Sequence, residues 1–263
     1  MTSTYVAFRL AQDDEYLLPN FIKHYKSLNV TGFFSNLNYK LDCDKESFNS
    51  FVKRIERNYP EIIFNVGPNN IEEPERKNIE QIYNLMRSNI PEDSYVIPAD
   101  ADEFHEYPFK SLEENITHLR ENNFLYIKGC TIERVSSTGE LIKTDPHKDV
   151  FVQYPNQNNY LFSKPKICLM SSLLMYKKSG VGHHTFPHAI DIDIKQKHSN
   201  KISKTHHFRW NHEGRIRTEK WHKMFTNEKW GGWKSTEETA KRLKIYEMNL
   251  LEQNWSKEIF DNL

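Results

Sequence analysis

The apolar run "YVIPADADEF" ends in two carboxylates, Asp100 and Asp102, separated by Ala101 and followed by Glu103. Carboxylates at i and i+2 repel one another unless a cation lies between them. In a tight turn they can converge on one hard divalent ion, and a small intervening residue leaves room for a ligand. Mg²⁺ or Mn²⁺ is the expected cofactor, because it takes one or two carboxylates and completes its octahedron with water and phosphate oxygens. Held there, it neutralises a diphosphate and stabilises it as a leaving group. So short a pattern also describes many solvated acidic turns. This one follows a strand-like run and is extended by Glu103-Phe104.

A diphosphate also attracts guanidinium and ammonium groups. Arg9 ends the first strand-like segment, which puts it at the same sheet edge as Asp100 and Asp102. Arg209 and Lys220 are further candidates. The twelve histidines are unevenly placed, with His183, His184 and His188 in one group and His198, His206, His207 and His212 in another. No H-E-x-x-H is present, and Cys168 is the one thiol near these groups that a structural zinc site could use.

These residues need elements to position them. "TYVAFRL", "VTGFFSNL", "EIIFNVG" and "DSYVIPA" read as four strands. Between them lie amphipathic helical stretches from about Asp14 to Leu28, then "KESFNSFVKRIERNY" and "PERKNIEQIYNLMRSNI". Asp13 or Asp14 is placed to cap the first helix, and Pro19 is tolerable near its first turn. The β-α-β-α-β-α-β order predicts parallel strands with crossover helices, a Rossmann-like half in which ligands bind beyond the carboxyl ends of the strands. Asp100 and Asp102 lie at such an end. After them come a helix ("SLEENITHLRENN") and a long hairpin ("FLYIKGCTIERVSSTGELI") turning near Ser137-Thr138-Gly139. Strands follow at "KPKICLMSSLLMYKK", "HAIDIDIK" and "SKTHHFRW", then a helical, Trp-rich tail from about Asn211. The reading is one α/β domain over 1–263 with a central mixed, mostly parallel sheet. Residues 1–104 form its nucleotide-binding half, 105–210 the acceptor side and 211–263 a helical tail. Trp210, Trp221, Trp230 and Trp233 could stack on sugar faces, although their helical spacing suits core packing.

At 263 residues the chain can bury a sizeable core. Lys+Arg and Asp+Glu both total 36, which removes a bulk electrostatic case for nucleic acid. Three scattered cysteines without a CxxC suit a reducing compartment. The opening "MTSTYVAFRLAQDDEY" does not read as a signal peptide, and no apolar run reaches transmembrane length. The expected location is cytoplasmic, with peripheral membrane contact open to the basic, Trp-bearing tail.

"VIPADADEF" resembles the DxD segment of GT-A glycosyltransferases, in particular a family-2-like group with a D-x-D-E-F signature. "DDEYLLPNFIKHYKSLNVTGFF" is similar to the opening of that group, and "GVGHH" and "HHFRW...EK" to its Gly-x-His and His-Tyr/Phe segments. The resemblance runs from about Tyr5 to Lys220 and rests on the order of these loose motifs. It implies a GT-A fold and a metal-dependent, inverting transfer of a sugar from a nucleotide donor, UDP-linked by default. The implied acceptor is a glycan or lipid-linked molecule, in surface polysaccharide or glycan synthesis. It further implies His207 as a metal ligand beside Asp100 and Asp102, and Lys166, with Lys164 also a candidate, as a nucleotide contact. Asp100 and, by its place at the sheet edge, Arg9 are the other expected nucleotide contacts. His184 or His183 would act near phosphate or acceptor. Asp191 falls where related enzymes place their base, among alternatives Glu133, Asp145, Asp149 and Asp193. The chain departs from the pattern after the second strand, where Asn36 and Asn38 stand without the usual Asp. It departs again at Trp210-Asn211, where relatives often have Lys-Ser. Two other readings are a nucleotidyltransferase acting on sugar phosphates, which would carry a Gly-rich basic loop missing from "FRLAQDDEYLLP", and a non-catalytic carbohydrate-binding module.

Overall fold

The computed structural model describes residues 2–39, 44–68, 74–159, 166–176, 197–227, 232–248 and 250–251. The first half builds a parallel sheet from β1 (Thr4–Ala11), β2 (Gly32–Tyr39), β3 (Ile62–Pro68) and β4 (Tyr95–Asp100), with β2 pairing β3, and β1 lying between β2 and β4. The connections carry helices α1 (Leu18–Ser27), α2 (Lys45–Asn58) and α3 (Pro74–Arg87). Alternation along the strands decides the layers. Val6, Phe8 and Leu10 of β1 and Ile97 and Ala99 of β4 face the core that contains Phe21 and Tyr25 of α1 and Phe48, Phe51 and Ile55 of α2. Ala7 and Val96 face the opposite core, with Ile82, Tyr83 and Met86 of α3.

Beyond β4 lie β5 (Glu103–Glu106), α4 (Leu112–Glu121), β6 (Tyr126–Val135), α5 (Val150–Gln153), β7 (Asn156–Asn159), β8 (Lys166–Ser171), α6 (Leu173–Tyr176), β9 (His198–His207), α7 (His212–Asn227) and α8 (Gly232–Tyr246). The described sheet has nine strands in the order β3-β2-β1-β4-β8-β6-β9-β5, with β7 on β6. Four of its pairings are parallel and four antiparallel, so the sheet is mixed rather than mostly parallel.

One consequence of this order shapes the site. β5 is four strand spacings from β4, about 19 Å in a flat sheet. Yet only Ala101 and Asp102 separate the two strands in sequence, and three residue steps reach at most about 11 Å. The second half of the sheet must therefore curl back toward β4. That curl gathers the end of β4 with the starts of β5 and β8 and the end of β9.

Several local expectations are corrected. The long hairpin does not form. Gly139 takes a positive φ of 77° and its N–H donates to the Ser136 carbonyl, but the returning segment does not pair with β6. Both edges of β6 are already occupied, one by β9 and the other by β8 and then β7. Leu141 and Ile142 pack into hydrophobic clusters instead. The strand expected over "KPKICLMSSLLMYKK" stops at Ser171, where the Ser172 N–H donates to Ser94 O. The chain then turns into α6, burying Leu174 and Met175 against α3. The first helix begins as a 3-10 turn, Gln12–Leu17, and neither Asp13 nor Asp14 caps α1. Trp210 is a core residue, 4.9 Å ring to ring from Tyr246. No described helix is long and apolar enough to cross a membrane.

Candidate metal and anion site

The acidic turn is held from three sides. The Phe208 N–H donates to Asp102 O at 2.9 Å, tying the turn to the end of β9. The Asp100 N–H donates to Glu103 Oε2 at 3.3 Å, and Ala101 is buried in the core. Register then aligns the chemistry. Arg9 of β1 lies opposite Asp100 of β4, and His207 of β9 lies between Glu133 of β6 and Glu103 of β5.

Asp102, Glu103 and His207 are all buried, and each offers a ligand atom within 4.8 Å of the other two. Among the described residues this is the only such group of three or more. His207 Nε2 lies 3.3 Å from Asp102 Oδ2, and Nδ1 lies 3.1 Å from Glu133 Oε1. Arg209 Nε is 2.9 Å from His207 Nδ1 and 3.1 Å from Nε2, so the guanidinium lies over the ring face rather than at its edge. Asp100 stands outside the group, held by Arg9 through two bonds of 2.8 Å. Lys166 is ion-paired with Glu103, and both are buried. Arg217 of α7 donates to Asp102 Oδ2 at 3.1 Å and also pairs with Asp14, bridging two parts of the chain.

The charges perturb one another strongly. Burial pushes the Asp102 carboxyl up, but the charge and hydrogen bond of His207, with Arg217 and Arg209, hold it well below the usual carboxylate range. Glu133 is lowered too: burial opposes ionisation, and His207 and Arg209 outweigh it. Burial takes Lys166 down to about 8, against the pull of Asp100 and Asp102. Asp14 is raised to about 6 by burial, with Asp102 and Asp100 adding to it and Arg217 opposing.

Two carboxylates and an imidazole suit a hard or borderline divalent cation of the Mg²⁺ or Mn²⁺ kind, and no thiol is in the group. Glu133 Oε2 is buried without a hydrogen-bond partner, a polar atom that a neighbouring positive charge would satisfy. The site thus fits a metal of that class, with Asp102, Glu103 and His207 as ligands and Glu133 orienting the imidazole from behind. Burying so many charges costs several kcal/mol per ion, as an order of magnitude, which is a poor route to stability and a common feature of functional sites.

Of the expected residues, the structure brings together Asp102 and His207, and places Arg9, Asp100, Lys166 and Arg209 around them. Lys220 lies to one side, paired with Asp13 at 3.2 Å and half exposed. Asp145 accepts the His147 N–H and Asp149 caps α5, so both serve local turns. Asn36 donates to Gln81 of α3 at 2.8 Å. Cys168 is buried, hydrogen-bonded to Thr205, and its thiol is pushed up to about 12 by burial; it belongs to no ligand group among the described residues. His183, His184, Asp191, Asp193, Lys164 and Trp230 lie outside the described residues. Three members were not singled out as site residues from sequence. Glu103 was visible only as an extension of the acidic turn, Asp14 only as a cap, and Arg217, 203 residues from Asp14, carries no local signal.

No protein-family model and no curated protein matches this chain.

Proposed function

We propose that this protein is a metal-dependent glycosyltransferase of the GT-A type. It moves a sugar from a nucleotide donor, UDP-linked, to a hydroxyl of a glycan or lipid-linked acceptor in glycan synthesis. The observation that carries this reading is the convergence of Asp102, Glu103 and His207 at the carboxyl end of a parallel strand, ringed by Arg9, Lys166, Arg209 and Arg217. A parallel β-α-β half binds nucleotides beyond its strand ends, where this cluster lies. A divalent cation held by Asp102, Glu103 and His207 would supply the charge that stabilises a departing diphosphate.

The remaining residues have separable roles in this reading. Glu133 fixes the orientation of His207 through Nδ1. Arg9 holds Asp100 rigidly beside the ligands, close to the expected position of the nucleotide. The surrounding cations bind diphosphate oxygens through charge-assisted hydrogen bonds. Deprotonation of the acceptor falls to a carboxylate or imidazole from 177–196, where Asp191 and His184 are the candidates.

Calorimetric titration of UDP tests the reading, run with Mn²⁺ and with EDTA on wild type, Asp102→Ala and Asp102→Asn. Metal-dependent binding that both variants lose, with thermal unfolding still cooperative, is the expected result. Failure of UDP, GDP, dTDP and CMP to bind under any condition would remove the transferase reading.

A further inference from the structure

The site described above holds its own counter-ions, and their arrangement is unusual in one respect. Each cation is spent on a carboxylate. Arg9 is on Asp100, Lys166 on Glu103, and Arg217 on Asp14 and Asp102, while Arg209 lies against His207 and 3.9 Å from Glu133. Asp102 and Glu103, the two carboxylates placed to ligate a metal, are therefore also the two that hold Arg217 and Lys166.

We infer that Arg217 and Lys166 are exchangeable counter-ions: a divalent cation that takes Asp102 and Glu103 displaces them, and both then become ligands for a multiply charged anion such as a diphosphate. The inference rests on the metal reading of the site and adds the coupling between its two ligands. Five carboxylates (Asp14, Asp100, Asp102, Glu103, Glu133) face four Arg and Lys cations and His207, so the cluster without metal carries no positive surplus to hold an anion. A divalent ion supplies that surplus. It also leaves Lys166 without its carboxylate and Arg217 with Asp14 alone, which is costly for buried cations unless an anion arrives. Metal and anion should then bind cooperatively, and by linkage each must tighten the other by the same factor.

Arg217 is the informative residue because its two roles have opposite signs. It competes with the metal for Asp102, and it assists the anion once displaced. It arrives on α7, the one described element after β9 that reaches the acidic turn through an ion pair, and Lys220 on the same helix pairs with Asp13. Asp14 gives it a second carboxylate to remain on when Asp102 is taken, so displacement requires a swing of the guanidinium and not the undocking of the helix.

The test measures Mn²⁺ binding to the full chain by the EPR signal of free Mn²⁺, alone and with saturating inorganic pyrophosphate, with the chelation of Mn²⁺ by pyrophosphate itself measured without protein and subtracted. Wild type should bind Mn²⁺ about tenfold or more tightly when pyrophosphate is present. Arg217→Gln should bind Mn²⁺ alone several-fold more tightly than wild type, while the tightening by pyrophosphate shrinks to about twofold. Lys166→Met should show the same pair of signs, and Arg217→Lys should resemble wild type in both. A merely structural role for Arg217 predicts looser Mn²⁺ binding in Arg217→Gln. That outcome, or an unchanged response to pyrophosphate, overturns the inference and leaves the metal reading in place. No Mn²⁺ binding by wild type would overturn both.

Discussion

His207 makes its two ring nitrogens do different work, one toward Asp102 and the other toward Glu133. A ligand imidazole whose second nitrogen is held by a carboxylate keeps one tautomer and one orientation, and loss of that partner typically costs 10–100-fold in metal affinity. Glu133→Ala is expected to weaken Mn²⁺ binding within about that range, whereas Glu133→Gln, which keeps an acceptor for the Nδ1 proton, should retain most of it. Equal loss in the two variants would instead mean that the Glu133 charge matters directly. A second residue-scale prediction concerns His105. Both its ring nitrogens are buried without hydrogen-bond partners, and burial, with the charge of His24 adding to it, lowers its pKa from 6.5 to about 3. His206 is lowered to about 4, mainly by burial, and the Arg134 charge adds to this while Glu106 opposes it. An unfolded chain takes up protons at these positions below about pH 6.5 and the folded chain does not, so their contribution to stability is lost as pH falls from 6.5 through 4. Asp14 works in the opposite direction, because its raised pKa favours the folded state as it protonates below about 6. Urea unfolding at pH 7.5 and pH 5 should show a smaller loss for His105→Phe than for wild type; an equal loss would show that His105 does not carry the acid sensitivity.

At the scale of elements, α7 is seated by its first turn. Asn211 precedes the helix, and its Oδ1 accepts the Gly214 N–H at 2.6 Å, a side-chain N-cap. Gly214 allows that turn to lie against the preceding chain, since a Cβ there would sit 2.0 Å from the Arg209 carbonyl oxygen and 2.9 Å from Tyr246 Oη. The carbonyl is backbone and cannot turn away, so Gly214→Ala must shift α7 as a body. The expected cost is about 1–3 kcal/mol. Because α7 carries Arg217, the Mn²⁺ affinity should change along with the midpoint of thermal unfolding. A stability loss with unchanged Mn²⁺ affinity would show that the helix absorbs the shift without moving Arg217. The same element-scale logic governs β6, which has no free edge to accept a hairpin partner and so sends residues 140–149 over the surface of the core.

For the molecule as a whole, the candidate ligands come from β9, from the turn that joins β4 to β5 and from the first residue of β5, and the folded curl of the sheet is what brings them together. A cation that binds only this folded arrangement stabilises it by mass action, by about 2.7 kcal/mol at a free concentration 100 times the dissociation constant. Thermal unfolding should therefore shift upward with Mn²⁺, return to its starting point with EDTA, and stay put in Asp102→Asn. An equal shift in that variant would move the binding site away from the acidic turn.

Much of the first half was legible in the sequence because its determinants are local. Apolar periodicity, Gly and Pro punctuation and β-α alternation placed β1 to β4 with their three helices, and the strand end at Asp100 followed directly. Asp102 stood out for the same reason, as an acidic pair at a strand end. The tertiary structure decided what depends on distant register. Glu103 became a candidate ligand because β5 pairs with β9, and Glu133 became the partner of His207 because β6 runs parallel to β9. Arg217 reached Asp102 and Asp14 only because α7 folds back across the curl. An exposed helix residue and a buried counter-ion share one residue type, and only the packing of the whole chain separates them.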